Sequence, residues 1–251
     1  MSTPGRPCLT LRSYPAIIIH LGEESSLLAA ENLNKEGDAI MRRLILFLTI
    51  VLILSALLAP AQALAINQSP VTGKVIMLDA GHGGYDPGAV NPRTSVAEKW
   101  ISLAVVHRLK DMLEADGAKV MWTRINDDFV GLSLRAAIAN AIRPDVFVSV
   151  HHNSSGSPVT NGTETYFTRA NDSFGLAESL NVNLVNNMQT ADRGVHARNL
   201  AVTRLTNGPA VLTEASFITS DAESNAFINL DRVEQEARGL QQGLLNYFAH
   251  R

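Results

Sequence analysis

His82 lies in the stretch DAGHGG, residues 79–84, among side chains too small to pack anything. An imidazole in such a loop is either a turn histidine or a group kept open to a close approach, by a metal ion or a substrate backbone. His151 ends the apolar run DVFVSVH, residues 145–151, and Glu214 lies at the end of PAVLTEA, residues 209–215. Glu98, in SVAEKW at residues 95–100, opens a long helical pattern. Two imidazoles and one carboxylate form a zinc set with a fourth position left for water. Each residue also has a plainer reading. Glu98 could be a solvated acid favoured by the positive end of a helix dipole. His151 is followed by His152, and strand alternation turns the two to opposite faces, so at most one binds. Glu214 is harder to dismiss, because its flanks are apolar and a buried carboxylate without a partner is costly. His20, His107, His196 and His250 read as ordinary histidines.

The elements that must bring these residues together follow from apolar periodicity. Residues 74–80, 118–124, 145–151, 162–168, 200–204 and 209–215 read as strands. Residues 96–116, 132–142, 174–189 and the segment from 221 to 248 carry apolar residues at helical spacing. This alternation implies one α/β domain, a mostly parallel twisted sheet of about six strands with helices on both faces. The 145–150 strand reads as central, being apolar except for Ser149. His82, His151 and Glu214 then stand at strand ends, and in an open α/β sheet ligands gather outside the carboxyl ends of the strands.

Composition narrows the field further. The chain has 251 residues, 46% hydrophobic and 18% charged, with a formal net charge of −3. It carries no basic run beyond residue 43, so no electrostatic footprint for nucleic acid is present. Residues 41–65 hold two arginines, an apolar run over 44–59 and small residues spaced A-x-A, the pattern of a secretory signal peptide cleaved after Ala63 or Ala65. An uncleaved anchor is the alternative and would be the chain's one link to a membrane, although a span needs about 20 apolar residues. Residues 1–40 carry no motif and are expected to be an untranslated or disordered extension, with Met41 as the start. The single cysteine, Cys8, lies there, so the domain over 66–251 has no disulfide and depends on an ordinary core. No repeat or second module follows it, and a monomer is expected.

Taken in order, VIMLDAGHGGYDPGA, AEK, DVFVSVHHNSS, GTETYF, RGVHARNLAV and PAVLTEASFITS resemble the zinc-dependent N-acetylmuramoyl-L-alanine amidases of the amidase-3 type, across residues 74–248. The resemblance implies zinc bound by His82, Glu98 and His151, and a catalytic Glu214. It implies hydrolysis of the amide between N-acetylmuramic acid and L-alanine in peptidoglycan, outside the cytoplasmic membrane, in the cell wall, periplasm or extracellular space. Ser216 and the following ITS depart from the family's usual glycine and asparagine, which bears on substrate preference and leaves the metal set whole. A zinc peptidase cutting within the stem peptide, and a non-catalytic peptidoglycan-binding or regulatory protein, are the alternatives. Some members carry an inserted helix that covers the zinc until a partner removes it. The short connections after residues 168 and 189, and a Ser-, Gly- and Pro-containing rim over 152–161, imply an open site that needs no activator protein.

Overall fold

The computed structural model describes residues 35–55, 68–168 and 173–251. They fall into two compact units that divide after Asn67. In the first, residues 35–55 form helix α1, in which the Thr49 and Ser55 hydroxyls donate to the carbonyls of Leu46 and Leu52 at 2.8 Å. Hydroxyls satisfied within their own helix are compatible with an apolar run. Among the described residues no helix is long and apolar enough to cross a membrane. The expected cleavage positions, Ala63 and Ala65, and most of the N-terminal extension, with Cys8 and His20, lie outside the described residues.

The second unit, from Gln68 to Arg251, is a single α/β domain. Its elements are β1 (Val75–Ala80), α2 (Glu98–Ala115), β2 (Lys119–Trp122), α3 (Leu132–Ile142), β3 (Val146–Asn153), β4 (Thr163–Phe167), α4 (Phe174–Met188), β5 (Asp192–Ala197), α5 (Ala201–Arg204), β6 (Ala210–Phe217), α6 (Asp221–Ile228) and α7 (Asp231–Ala249). The six strands run in the order β2-β1-β3-β6-β4-β5. All neighbours are parallel except β4 and β6, which makes the sheet mixed.

Alternation along the central strands builds two cores. Ile76, Leu78, Val146, Val148 and Val150 turn to the face covered by α2, α4 and α7, where Val105, Leu109, Leu180, Leu184 and Leu240 complete a large apolar cluster. Met77, Phe147 and Leu212 turn the other way, onto Ala139 of α3 and Val202 of α5. β3 is buried on both faces along Val146–Val150, hence a run that is apolar except for Ser149.

Two assignments made from sequence are corrected. Residues 200–204 form no strand: α5 takes them up as one helical turn that presses Val202 onto the sheet. The sixth strand is instead β5, within the segment read as a loop. As an edge strand it is exposed or half-buried throughout, so it lacks the apolar pattern that marks a strand. The C-terminal helical segment is two helices, broken where Leu230 adopts a left-handed φ of 64°.

Candidate metal centre and active site

The loop after β1 is held by buried charge. Asp79 is fully buried on β1 and accepts from Arg135 Nη1 at 2.7 Å, Ser149 Oγ at 2.6 Å and Thr123 Oγ1 at 2.5 Å. Arg135, itself buried, also donates to the carbonyls of Ala80, His82 and Val130. Arg124 donates to those of Ala80, Gly81 and Lys99. Two guanidinium groups therefore satisfy the carbonyls of the glycine loop and fix His82 in its left-handed conformation, φ 59°. Replacing Arg135 by Met leaves Asp79 buried without its cation. Urea unfolding is expected to register a loss of about 3–5 kcal/mol, and an unchanged midpoint would contradict this bracing role.

Two of the glycines make room for the side chains of the site. A Cβ on Gly81 would lie 2.3 Å from His151 Cε1. One on Gly88, at φ +68°, would lie 2.6 Å from both Glu98 Oε2 and His82 Cδ2. The space they leave is filled by the three residues that converge here.

Glu98 Oε1 lies 3.0 Å from His82 Nε2 and 2.9 Å from His151 Nδ1. The two rings meet edge to face, 4.9 Å between centroids. One ligand atom from each of the three residues falls within 4.8 Å of the others, a grouping that can hold a metal ion. Asp86 Oδ2 takes the outer nitrogen of His82, Nδ1, at 2.9 Å, so Nε2 is the one turned inward. A carboxylate behind a ligand imidazole is a common support in metal sites. Glu98 is buried, and its carboxylate also accepts the backbone N–H groups of Ala89 and His152. Burial opposes its charge, but the hydrogen bonds from His151 and His82 prevail and hold the carboxyl well below the usual range.

The sequence and the fold match known proteins. Residues 76–246 match the N-acetylmuramoyl-L-alanine amidase family Amidase_3. The chain belongs to that family. It is 36% identical over 198 residues to YqiI of Bacillus subtilis, covering 78% of this chain and 93% of that protein, which is described as uncharacterized. It is 33% identical over 184 residues to the amidase LytC of the same organism, covering 72% of this chain and 37% of LytC. Among solved structures, the catalytic domain of the amidase CwlV from Paenibacillus polymyxa superposes with a TM-score of 0.67 at 34% identity, covering 71% of this chain and 99% of that domain. An amidase from Clostridium difficile does so at 0.68 and 30%, covering 72% and 99%.

In this amidase the row of residues that ends the sheet extends beyond the three. His151 is in register with Glu214 on β6, and Glu214 with Glu164 on antiparallel β4. Residues in register share a face, so the two carboxylates follow His151 along one edge. Glu214 Oε2 is enclosed and takes no hydrogen bond among the described residues. Burial, then the charges of Glu98, Glu164 and Glu236, push the Glu214 carboxyl well above the usual range. Beyond it, Glu164 accepts from Asn153 and lies 3.8 Å from Arg193 Nε and 3.7 Å from His196 Nε2.

His152 faces the opposite way, as alternation requires: it is buried against Phe227 and lies 2.8 Å from Glu236 of α7. His107 and His250 keep their ordinary reading, each bonded to a backbone carbonyl. Sequence reasoning passed over Arg124, Arg135 and Asp86. Of these only Asp86 carried a signal, four residues beyond a candidate ligand histidine in a glycine-bounded loop.

Proposed function

We propose that this chain is a zinc-dependent amidase that cuts the amide between N-acetylmuramic acid and L-alanine in peptidoglycan, releasing stem peptide from glycan. The proposal includes zinc bound by His82, Glu98 and His151, and Glu214 as the catalytic residue. The observation that carries it is the meeting of two imidazoles and one carboxylate beside an enclosed glutamate. The donor set suits zinc, since nitrogen and oxygen ligands on three protein groups leave a position open. Held there, zinc supplies Lewis-acid charge and brings the pKa of a water down to about 7.

The chain's own groups do the rest. With a metal bound, Asp86 would accept a hydrogen bond from Nδ1–H of His82 and leave Nε2 as the ligand nitrogen. Glu98, accepting two backbone N–H groups, is pinned between the histidines. Glu214 takes a proton at a carboxylate oxygen from the attacking water and returns it to the leaving amine nitrogen.

Residues 66–251 are the catalytic domain in this reading, and residues 41–65 direct export as a signal peptide or an anchor. Activity needs no activator: only three residues separate α4 from β5, and β4 ends at Phe167 with α4 starting at Phe174, connections too short for a covering helix. The test is incubation of the purified chain, with no other protein, on peptidoglycan with and without a chelator, followed by mass analysis. Free muramoyl lactyl groups, lost on chelation, are expected. Fragments cut within the stem peptide would support the peptidase alternative, and no release at all would support a non-catalytic binder.

Gly81→Ala is expected to lower zinc content as its Cβ displaces the His151 ring, whereas Gly131→Ala, whose Cβ meets nothing within 4 Å, is expected to leave it unchanged. Metal analysis of the two proteins checks this, and equal occupancy would contradict the close fit.

A further inference from the structure

The row of site residues has two unlike flanks. On the β4–β5 side stand Glu164, Arg193 and His196, a charged surface. On the side of the loops after β1 and β2, the cleft beside His82 and His151 has a volume of about 320 Å³ and is walled by Phe129, Val130 and Leu132, with Asp86 and Arg135 also lining it. Tyr85 stacks on Phe129 there, with ring centroids 4.2 Å apart and planes 26° from parallel. Tyr85 is 79% exposed and Phe129 44%.

Two large aromatic rings held in solvent beside a metal centre are a costly arrangement unless something covers them. They are also held firmly. Lys99 Nζ donates to the Gly84 carbonyl and to Asp127 Oδ2, both at 2.7 Å, and Asp127 Oδ1 accepts the Gly84 N–H at 2.9 Å. These bonds lace the segment before Tyr85 to the segment before Phe129, so the stacked pair forms a fixed shelf and not two independent side chains.

Resting on the amidase reading, we infer that the Tyr85–Phe129 shelf is the glycan subsite, taking the apolar face of a sugar ring of the glycan strand. An aromatic face is electron-rich and attracts weakly positive hydrogens. A pyranose offers such a face through its axial C–H bonds, and in the uncut strand its N-acetyl and lactyl amide groups carry no charge. The other product of the cut, the stem peptide, carries carboxylates. Those match the arginine and histidine of the β5 flank and gain nothing from aromatic rings. The two halves of the substrate therefore sort to opposite flanks of the site, and the scissile bond lies across the row from His151 to Glu214.

The experiment measures binding directly. Peptide-free glycan strands, built of N-acetylglucosamine and N-acetylmuramic acid with its lactyl carboxylate free, are added to the purified chain, and saturation transfer from protein to sugar ring protons, to which the carboxylate does not contribute, is followed by NMR. Transfer is expected with the unsubstituted chain, with the dissociation constant rising about fivefold in Tyr85→Ala and in Phe129→Leu. Tyr85→Phe, which keeps the ring, is expected to bind as the unsubstituted chain does and guards against a general folding defect. Free stem peptide is expected to bind all variants equally. An unchanged glycan affinity in both ring-removing variants, a fall in peptide affinity instead, or no transfer to glycan at all would overturn the inference. Failure of the amidase reading would look different: glycan bound at the shelf, with no stem peptide released from peptidoglycan.

Discussion

His82→Ala and His151→Ala are each expected to abolish metal binding and, with it, release of stem peptide from peptidoglycan. Each imidazole supplies one of three protein donors, and Glu98 Oε1 is shared between them at 3.0 and 2.9 Å. Removing one ring leaves two donors and breaks the hydrogen bond that orients Glu98, so the loss should reach further than a single ligand. The measurement is zinc per chain after dialysis, read beside product release. About one zinc per chain is expected before substitution and close to none after it, and full activity in a metal-free variant would end the zinc mechanism. Glu98→Ala should weaken binding less cleanly, since a water can replace a carboxylate oxygen.

The second large effect separates binding from chemistry. Glu214→Gln keeps the shape of the side chain but removes a group that can accept a proton, while His151, its neighbour in register, is untouched. Zinc should therefore stay bound while turnover falls by a factor on the order of 10² to 10⁴. The enclosed Oε2 and the raised proton affinity of Glu214 make the neutral amide an easy replacement for folding, so stability should change little. Turnover equal to that of the unsubstituted chain would reduce Glu214 to a structural acid. Loss of zinc would instead make it a ligand.

How much of this was legible in the chain depended on the kind of signal each residue leaves. His82, His151 and Glu214 stand where apolar runs end, and strand ends converge in an open sheet, so the sequence alone could place them together. Glu98 was legible as the acid that opens α2, although nothing local says that its carboxylate turns to His151 rather than to water. β5 was missed because an edge strand has no dry face to mark with alternation, and a four-residue turn such as α5 is too short for its period to be told from that of a strand. Arg124 and Arg135 were illegible for another reason. Their partners are mainly backbone carbonyls, which every residue has, so no pairing pattern in the sequence announces them.

The large core on the α2–α4–α7 face has a consequence for the order in which the protein matures. The metal centre lies at the ends of the strands and the core beneath it is apolar, closed and independent of the three ligands. Small zinc domains that lack such a core are unfolded until the ion arrives. On the function proposed above, the fold would come first and the ion second, so a chain exported unfolded and metal-free would take up zinc in the compartment where its substrate lies. By the same logic, chelation is expected to be reversible, silencing the molecule without dismantling it, which a far-UV circular dichroism spectrum unchanged by chelator would check.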